Sequence, residues 1–128
     1  MATLITGGAG FIGSRLAAQL IRQNEPIIIL DNFDAYYDPS IKRAKIGAMG
    51  NVPTVVEGDL RSPELVERIF AEHDITRVAH MGGLAGVRSS IEQGPLYSDV
   101  NTTGSVNLMN IARKHKVSVF VQIGRAHV

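Results

Sequence analysis

The eight residues Thr6-Gly7-Gly8-Ala9-Gly10-Phe11-Ile12-Gly13 satisfy two glycine spacings at once, G-x-G-x-x-G and G-x-x-G-x-x-G. Glycines permit positive φ in a tight turn and let bare backbone approach a pyrophosphate, whose charge is met by N–H groups and a helix start. Gly7, Gly10, Phe11, Ile12 and Gly13 are the positions expected to make that approach, with Gly13 also letting helix and strand pack closely. Asp31 falls 21 residues after Gly10 at the end of an apolar run. A carboxylate there accepts hydrogen bonds from both hydroxyls of an adenosine ribose and repels a 2′-phosphate, which favours NAD over NADP. The plain alternative is a tight turn followed by an incidental acid.

The flanking elements are those the motif requires. Ala2 to Thr6 is a short apolar run ending in glycine, and Phe11, Ile12, Leu16, Leu20 and Ile21 recur at helical spacing. Pro26 closes that helix, and Ile27-Ile28-Ile29-Leu30 has the unbroken apolar character of a parallel strand covered on both faces. A polar and aromatic loop follows from Asn32 to Pro39, then a short helix is expected from Ile41 to Met49 and a third strand at Thr54 to Val56. Ser62 before Pro63 and Glu64 supplies a helix cap, with Leu65, Val66, Ile69 and Phe70 as the apolar face and an end near His73. Arg77 to Met81 reads as a fourth strand, Leu96 to Lys114 as a helix, and a fifth strand starts at Val117. Strands alternating with helices imply right-handed crossovers and a doubly wound parallel α/β sheet, the Rossmann fold.

Composition narrows the classes. With 128 residues the chain fits one domain, and 45% hydrophobic with 20% charged residues is ordinary for a globular protein. A formal charge of +1 with scattered basic residues argues against nucleic acid as a partner. The apolar runs are too short to cross a membrane, no signal peptide is evident, and no cysteine is present for a disulfide or thiolate site; a cytoplasmic home is expected. The Lys42, Arg43 and Lys45 cluster reads most simply as a solvated helix face, and His80 as a core residue rather than an acid or ligand.

These residues resemble the extended short-chain dehydrogenase/reductase superfamily, in particular the NAD-dependent epimerase/dehydratase family. Thr6 to Gly13 is similar to its cofactor fingerprint, and Asp31-Asn32-Phe33 with Tyr36-Tyr37-Asp38-Pro39 and Lys42 is similar to UDP-glucuronate 4-epimerases. The resemblance implies that Asn32 joins Asp31 at the cofactor, that Asp59 contacts the adenine amine and that Leu60 lies against the ring. Asp59 reads equally as a strand-end turn residue. Gly82 and Gly83 are implied beside the pyrophosphate and ribose; they replace the alanines usual there, which should loosen the segment. Val87, Arg88 and Ser89 are implied near the sugar, although an arginine in a glycine-rich loop is also simply solvated. Asn101 is similar to a helix asparagine that supports the site, and the helix through Lys114 is implied in a homodimer of the full-length parent.

In that family a tyrosine phenolate and a lysine four residues later, Y-x-x-x-K, handle the proton at sugar C4 while hydride moves to the nicotinamide. Four residues beyond Tyr36, Tyr37 and Tyr97 stand Ser40, Ile41 and Asn101, so no such pair is present. The resemblance runs to residue 121, and residues 122–128 read as a non-native tail resembling a translated sequencing adapter. The expectation is therefore a sheet truncated after its fifth strand: the NAD-binding part, itself inactive, of a nucleotide-sugar 4-epimerase that works by transient oxidation at C4. A 4,6-dehydratase or reductase of the same superfamily, or a non-catalytic NAD-binding module, shares this front half.

Overall fold

The computed structural model describes residues 1–32, 39–50, 53–82, 95 and 102–123. Its strands are β1 (Ala2–Thr6), β2 (Ile27–Asp31), β3 (Thr54–Glu57), β4 (Ile75–His80) and β5 (Val119–Gln122). Among the described residues the helices are α1 (Phe11–Arg22), α2 (Pro39–Ala48), α3 (Pro63–Glu72) and α4 (Gly104–Lys114). The strands form one sheet in the order β3-β2-β1-β4-β5, and every neighbouring pair is parallel. The chain thus steps outward from β1 through β2 to β3, then crosses to the other side of β1 for β4 and β5. The order reverses between β1 and β4, and in open α/β sheets such a reversal is where ligands bind, outside the carboxyl ends of the strands.

Alternation along the central strands explains the two-sided core. Leu4, Ile28, Leu30 and Val78 pack on one face with Val66, Ile69 and Phe70 of α3 and Leu108, Ile111 and Ala112 of α4. Ile5, Ile27, Ile29 and Ala79 pack on the other with Ala17 of α1, Leu16, Leu20 and Ile21 beside it, and Ile46 of α2. All five residues of β2 are buried, the signature expected of its unbroken apolar run.

The helix ends follow their local chemistry. Ser62 Oγ accepts from the Leu65 N–H at 3.4 Å with Pro63 in the first turn, as the cap signal predicts. The helix expected from Ile41 begins earlier, at Pro39, because proline's fixed φ suits a first helical position. The fourth strand starts at Ile75, two residues before the expected Arg77, because Ala2 extends the ladder to it across an irregular step in register. The helix expected from Leu96 is described from Gly104 onward, and residues 96–101 lie outside the described residues.

Glu67 of α3 ties the two helices of one layer together, receiving His115 Nε2 at 2.8 Å and Lys114 Nζ at 3.2 Å. Those donors, His115 foremost, hold its carboxyl below the usual carboxylate range. The anchor of the layer is apolar: Leu108 is wholly buried where α4 meets the sheet and α3. Leu108→Ala should destabilise the fold by about 2–5 kcal/mol in urea titrations followed by circular dichroism; a change below about 1 kcal/mol would contradict this packing role.

Candidate functional site

The glycine turn lies at the carboxyl end of β1, at the point where strand order reverses. Gly7 has φ of +67°, its N–H donates to the Leu30 carbonyl of β2 at 2.8 Å, and its own carbonyl accepts from Gly10 N–H at 3.0 Å. The chain then enters α1, whose start is capped by no side chain and whose first turn holds no acidic residue. This differs from α3, where Ser62 and Glu64 occupy the equivalent places. A start of this kind directs backbone N–H groups and the positive end of the helix dipole toward an external anion.

Close backbone contact makes glycine obligatory here. A Cβ on Gly13 would fall 2.1 Å from the Gly7 carbonyl oxygen, and one on Gly7 would fall 2.8 Å from Gly82 Cα. Both obstacles are backbone, which has no rotamer with which to move aside. Phe11 and Ile12 lie at the exposed beginning of α1, and the Phe11 ring sits beneath Arg15, whose Cζ is 4.5 Å from its centroid. The turn therefore presents bare backbone beside an aromatic ring and a guanidinium.

Asp31 ends β2 at only 6% exposure. Its Oδ2 accepts the Ala9 N–H at 3.1 Å, tying the acid to the glycine turn, and its Oδ1 lies 3.6 Å from Lys42 Nζ. Lys42 is itself 9% exposed and paired with Asp31, so it is not part of a solvated helix face. The solvated reading does hold for Arg43, exposed and paired with Glu57 at 3.0 Å. Asn32 follows Asp31 and is exposed.

Asp59 and Leu60 follow β3. The Arg61 side chain closes on the Asp59 carboxylate, with NH2 2.6 Å from Oδ2 and Nε 3.1 Å from Oδ1, while the Arg61 backbone N–H reaches Oδ1 at 2.9 Å. The side-chain bonds, chiefly, hold the Asp59 carboxyl below its ordinary range. Leu60 is 8% exposed within the core cluster, close against Gly104 at the start of α4.

A polar relay that the sequence did not disclose runs beneath the turn. Thr6 Oγ1 accepts the Gly82 N–H at 2.9 Å and lies 2.5 Å from His80 Nδ1, and His80 Nε2 lies 2.7 Å from Ser105 Oγ. Both ring nitrogens of His80 therefore have hydroxyl partners, one from β1 and one from α4. His80, 1% exposed, is thus the core residue expected, with partners from β1 and α4. Gly82 is held by the same bond, and a methyl on it would meet Thr6 Oγ1 at 3.0 Å. Gly83, Val87, Arg88, Ser89 and Asn101 lie outside the described residues.

Two expectations follow. Gly13→Ala should destabilise the fold by about 1–3 kcal/mol, whereas Gly47→Ala, where a methyl meets nothing within 4 Å, should stabilise by about 0.5–1 kcal/mol; equal effects in urea titrations would refute the contact. Because the folded pKa of Asp59 is lowered, its contribution is present above its unfolded value and is lost as pH falls through the folded one. The stability difference between the native chain and Arg61→Ala should therefore shrink on acidification below about pH 4, and a gap that is flat with pH would contradict the pairing.

Comparison with known proteins agrees with this geometry. The NAD dependent epimerase/dehydratase family matches residues 3–128. UDP-glucuronate 4-epimerase 4 of Arabidopsis thaliana is 40% identical over 111 residues, which is 86% of this chain and 25% of that protein. Among solved structures, the UDP-glucose-4-epimerase of Stenotrophomonas maltophila with bound NAD and formylated UDP-arabinopyranose superposes with a TM-score of 0.83 at 30% identity, covering 95% of this chain and 36% of that one. The Thermus thermophilus UDP-glucose 4-epimerase in complex with NAD superposes with a TM-score of 0.83 at 33% identity, over 94% of this chain and 36% of its own. The chain thus spans between a quarter and somewhat over a third of the length of these relatives. On the match of its sequence and the agreement of its sheet, turn and strand order, the chain belongs to the NAD dependent epimerase/dehydratase family.

Proposed function

We propose that this chain is the NAD-binding portion of a nucleotide-sugar 4-epimerase of the UDP-glucuronate or UDP-glucose type. The observation that carries the reading is a glycine turn at the strand-order reversal, bonded through Ala9 to a buried Asp31. Gly7, Gly10 and Gly13 let its backbone pack on itself and on Gly82 without side chains between them. In this reading those glycines, with the N–H groups of Phe11 and Ile12, hold the pyrophosphate at the start of α1. Asp31, with Asn32 beside it, grips the adenosine ribose. Asp59, kept ionised by Arg61, accepts from the adenine amine, and Leu60 borders the ring.

Gly82 and Gly83 line the pyrophosphate side, Asn101 supports the site, and Val87, Arg88 and Ser89 face the sugar. The relatives' names supply the substrate class: UDP-glucuronate 4-epimerase in one case, UDP-glucose 4-epimerase in others. Bound NAD would supply a reversible hydride acceptor for sugar C4. A full-length homodimer through α4 belongs to the same reading, supported by Val106 and Met109 at 46% and 41% exposure on that helix. So does a cytoplasmic home; no helix among the described residues is long and apolar enough to cross a membrane.

Calorimetric titration tests the cofactor claim: NAD is expected to bind with higher affinity than NADP, and a preference for NADP would remove the role given to Asp31. The catalytic claim is tested on a full-length form, which is expected to interconvert UDP-glucuronate and its C4 epimer with no net consumption of NAD. Formation of a 4-keto-6-deoxy product would favour a dehydratase, and tight NAD binding with no turnover of UDP-sugars would favour a non-catalytic module.

A further inference from the structure

Asp31 and Glu57 are register partners at the ends of adjacent strands β2 and β3, and consecutive cations of α2 take one each. Arg43 reaches Glu57 at 3.0 Å on the surface, where both side chains are more than half exposed. Lys42 Nζ reaches Asp31 Oδ1 at 3.6 Å in the interior, where the two side chains are 11% and 4% exposed. The inner pair is not explained by stability alone. Desolvating an ammonium and a carboxylate costs about as much as their attraction returns, and apolar replacements of such pairs are often neutral or better. A buried lysine beside the one acid expected to read a ribose points instead to control of that acid.

We propose that Lys42 is a positioning residue of the ribose site and that it sets how strongly NAD is preferred over NADP. The inference rests on the reading of the glycine turn as a dinucleotide site. Asp31 is held from two directions, by Ala9 of the turn on Oδ2 and by Lys42 of α2 on Oδ1. The bond from Ala9 orients the carboxylate toward the turn. The ammonium has a second, opposite effect on selectivity: it offsets part of the negative charge that a 2′-phosphate would meet beside Asp31. Asp31 therefore supplies the discrimination against NADP, and Lys42 limits it.

The test is a calorimetric double-mutant cycle on the 128-residue chain with NAD and NADP as titrants. Lys42→Met should weaken NADP more than NAD and widen the NAD-to-NADP affinity ratio by about tenfold, the scale of one lost charged contact. Asp31→Asn alone should raise NADP affinity, because the lysine is then available to the phosphate. Asp31→Asn combined with Lys42→Met should lose that gain, and Lys42→Arg should keep a ratio near the native one. If Lys42→Met fails to fold by circular dichroism, Lys42→Gln is read in its place. NAD binding with an unchanged ratio in Lys42→Met, or in Lys42→Gln where that is read in its place, overturns this inference alone. No binding of NAD by the native chain overturns the dinucleotide reading and this inference with it.

Discussion

Three stretches of backbone meet at Gly7 with no side chain between them. From one side comes the first turn of α1, whose Gly13 leaves no room for even a methyl group against the Gly7 carbonyl. From another comes the exit of β4, where a Cβ on Gly7 would fall 2.8 Å from Gly82 Cα. The third is the turn itself, bent through positive φ and hydrogen-bonded back to β2. Contacts of this kind are stiff, because backbone cannot change rotamer to relieve them. That stiffness fixes where the N–H groups at the start of α1 point.

Around this contact the fold places polar groups that serve position more than stability. Thr6, His80 and Ser105 join β1, β4 and α4 in a buried chain directly under the turn, and Gly82 is pinned by the same threonine. Asp31 joins the turn to β2 and, through Lys42, to α2. Each of these groups costs desolvation and needs its partners in place before it is tolerable in a low-dielectric interior. Their concentration at one end of the sheet, while the rest of the described interior is apolar apart from Thr3 and Ser14, is what separates the site from the scaffold. The starts of α1 and α3 differ: α3 is closed by its own serine and glutamate, and α1 has neither a side-chain cap nor an acid in its first turn.

Much of this was legible in the residues. The unbroken run Ile27 to Leu30 reads as a strand covered on both faces, and the serine-proline-glutamate start of α3 carried its own cap chemistry. The glycine spacing, the acid after the second strand and the alternation of elements agreed on a doubly wound sheet. Lys42 was misread because its immediate neighbours, Arg43 and Lys45, are also basic, and a local cluster of cations looks solvated whichever one turns inward. The relay through His80 was invisible because its partners lie 74 and 25 residues away and are ordinary hydroxyls.

The sequence by itself determined the elements, the turn and the acid, because hydrophobic period, glycine placement and capping act within a few residues of one another. Only the tertiary structure decided which lysine would be buried, which hydroxyls would hold the histidine, and which backbone Gly82 packs against. Those outcomes depend on distances between strands and helices far apart in the chain. Burial changes the energy of a charge or a hydroxyl far more than that of a methyl group, and burial is set only when the layers close.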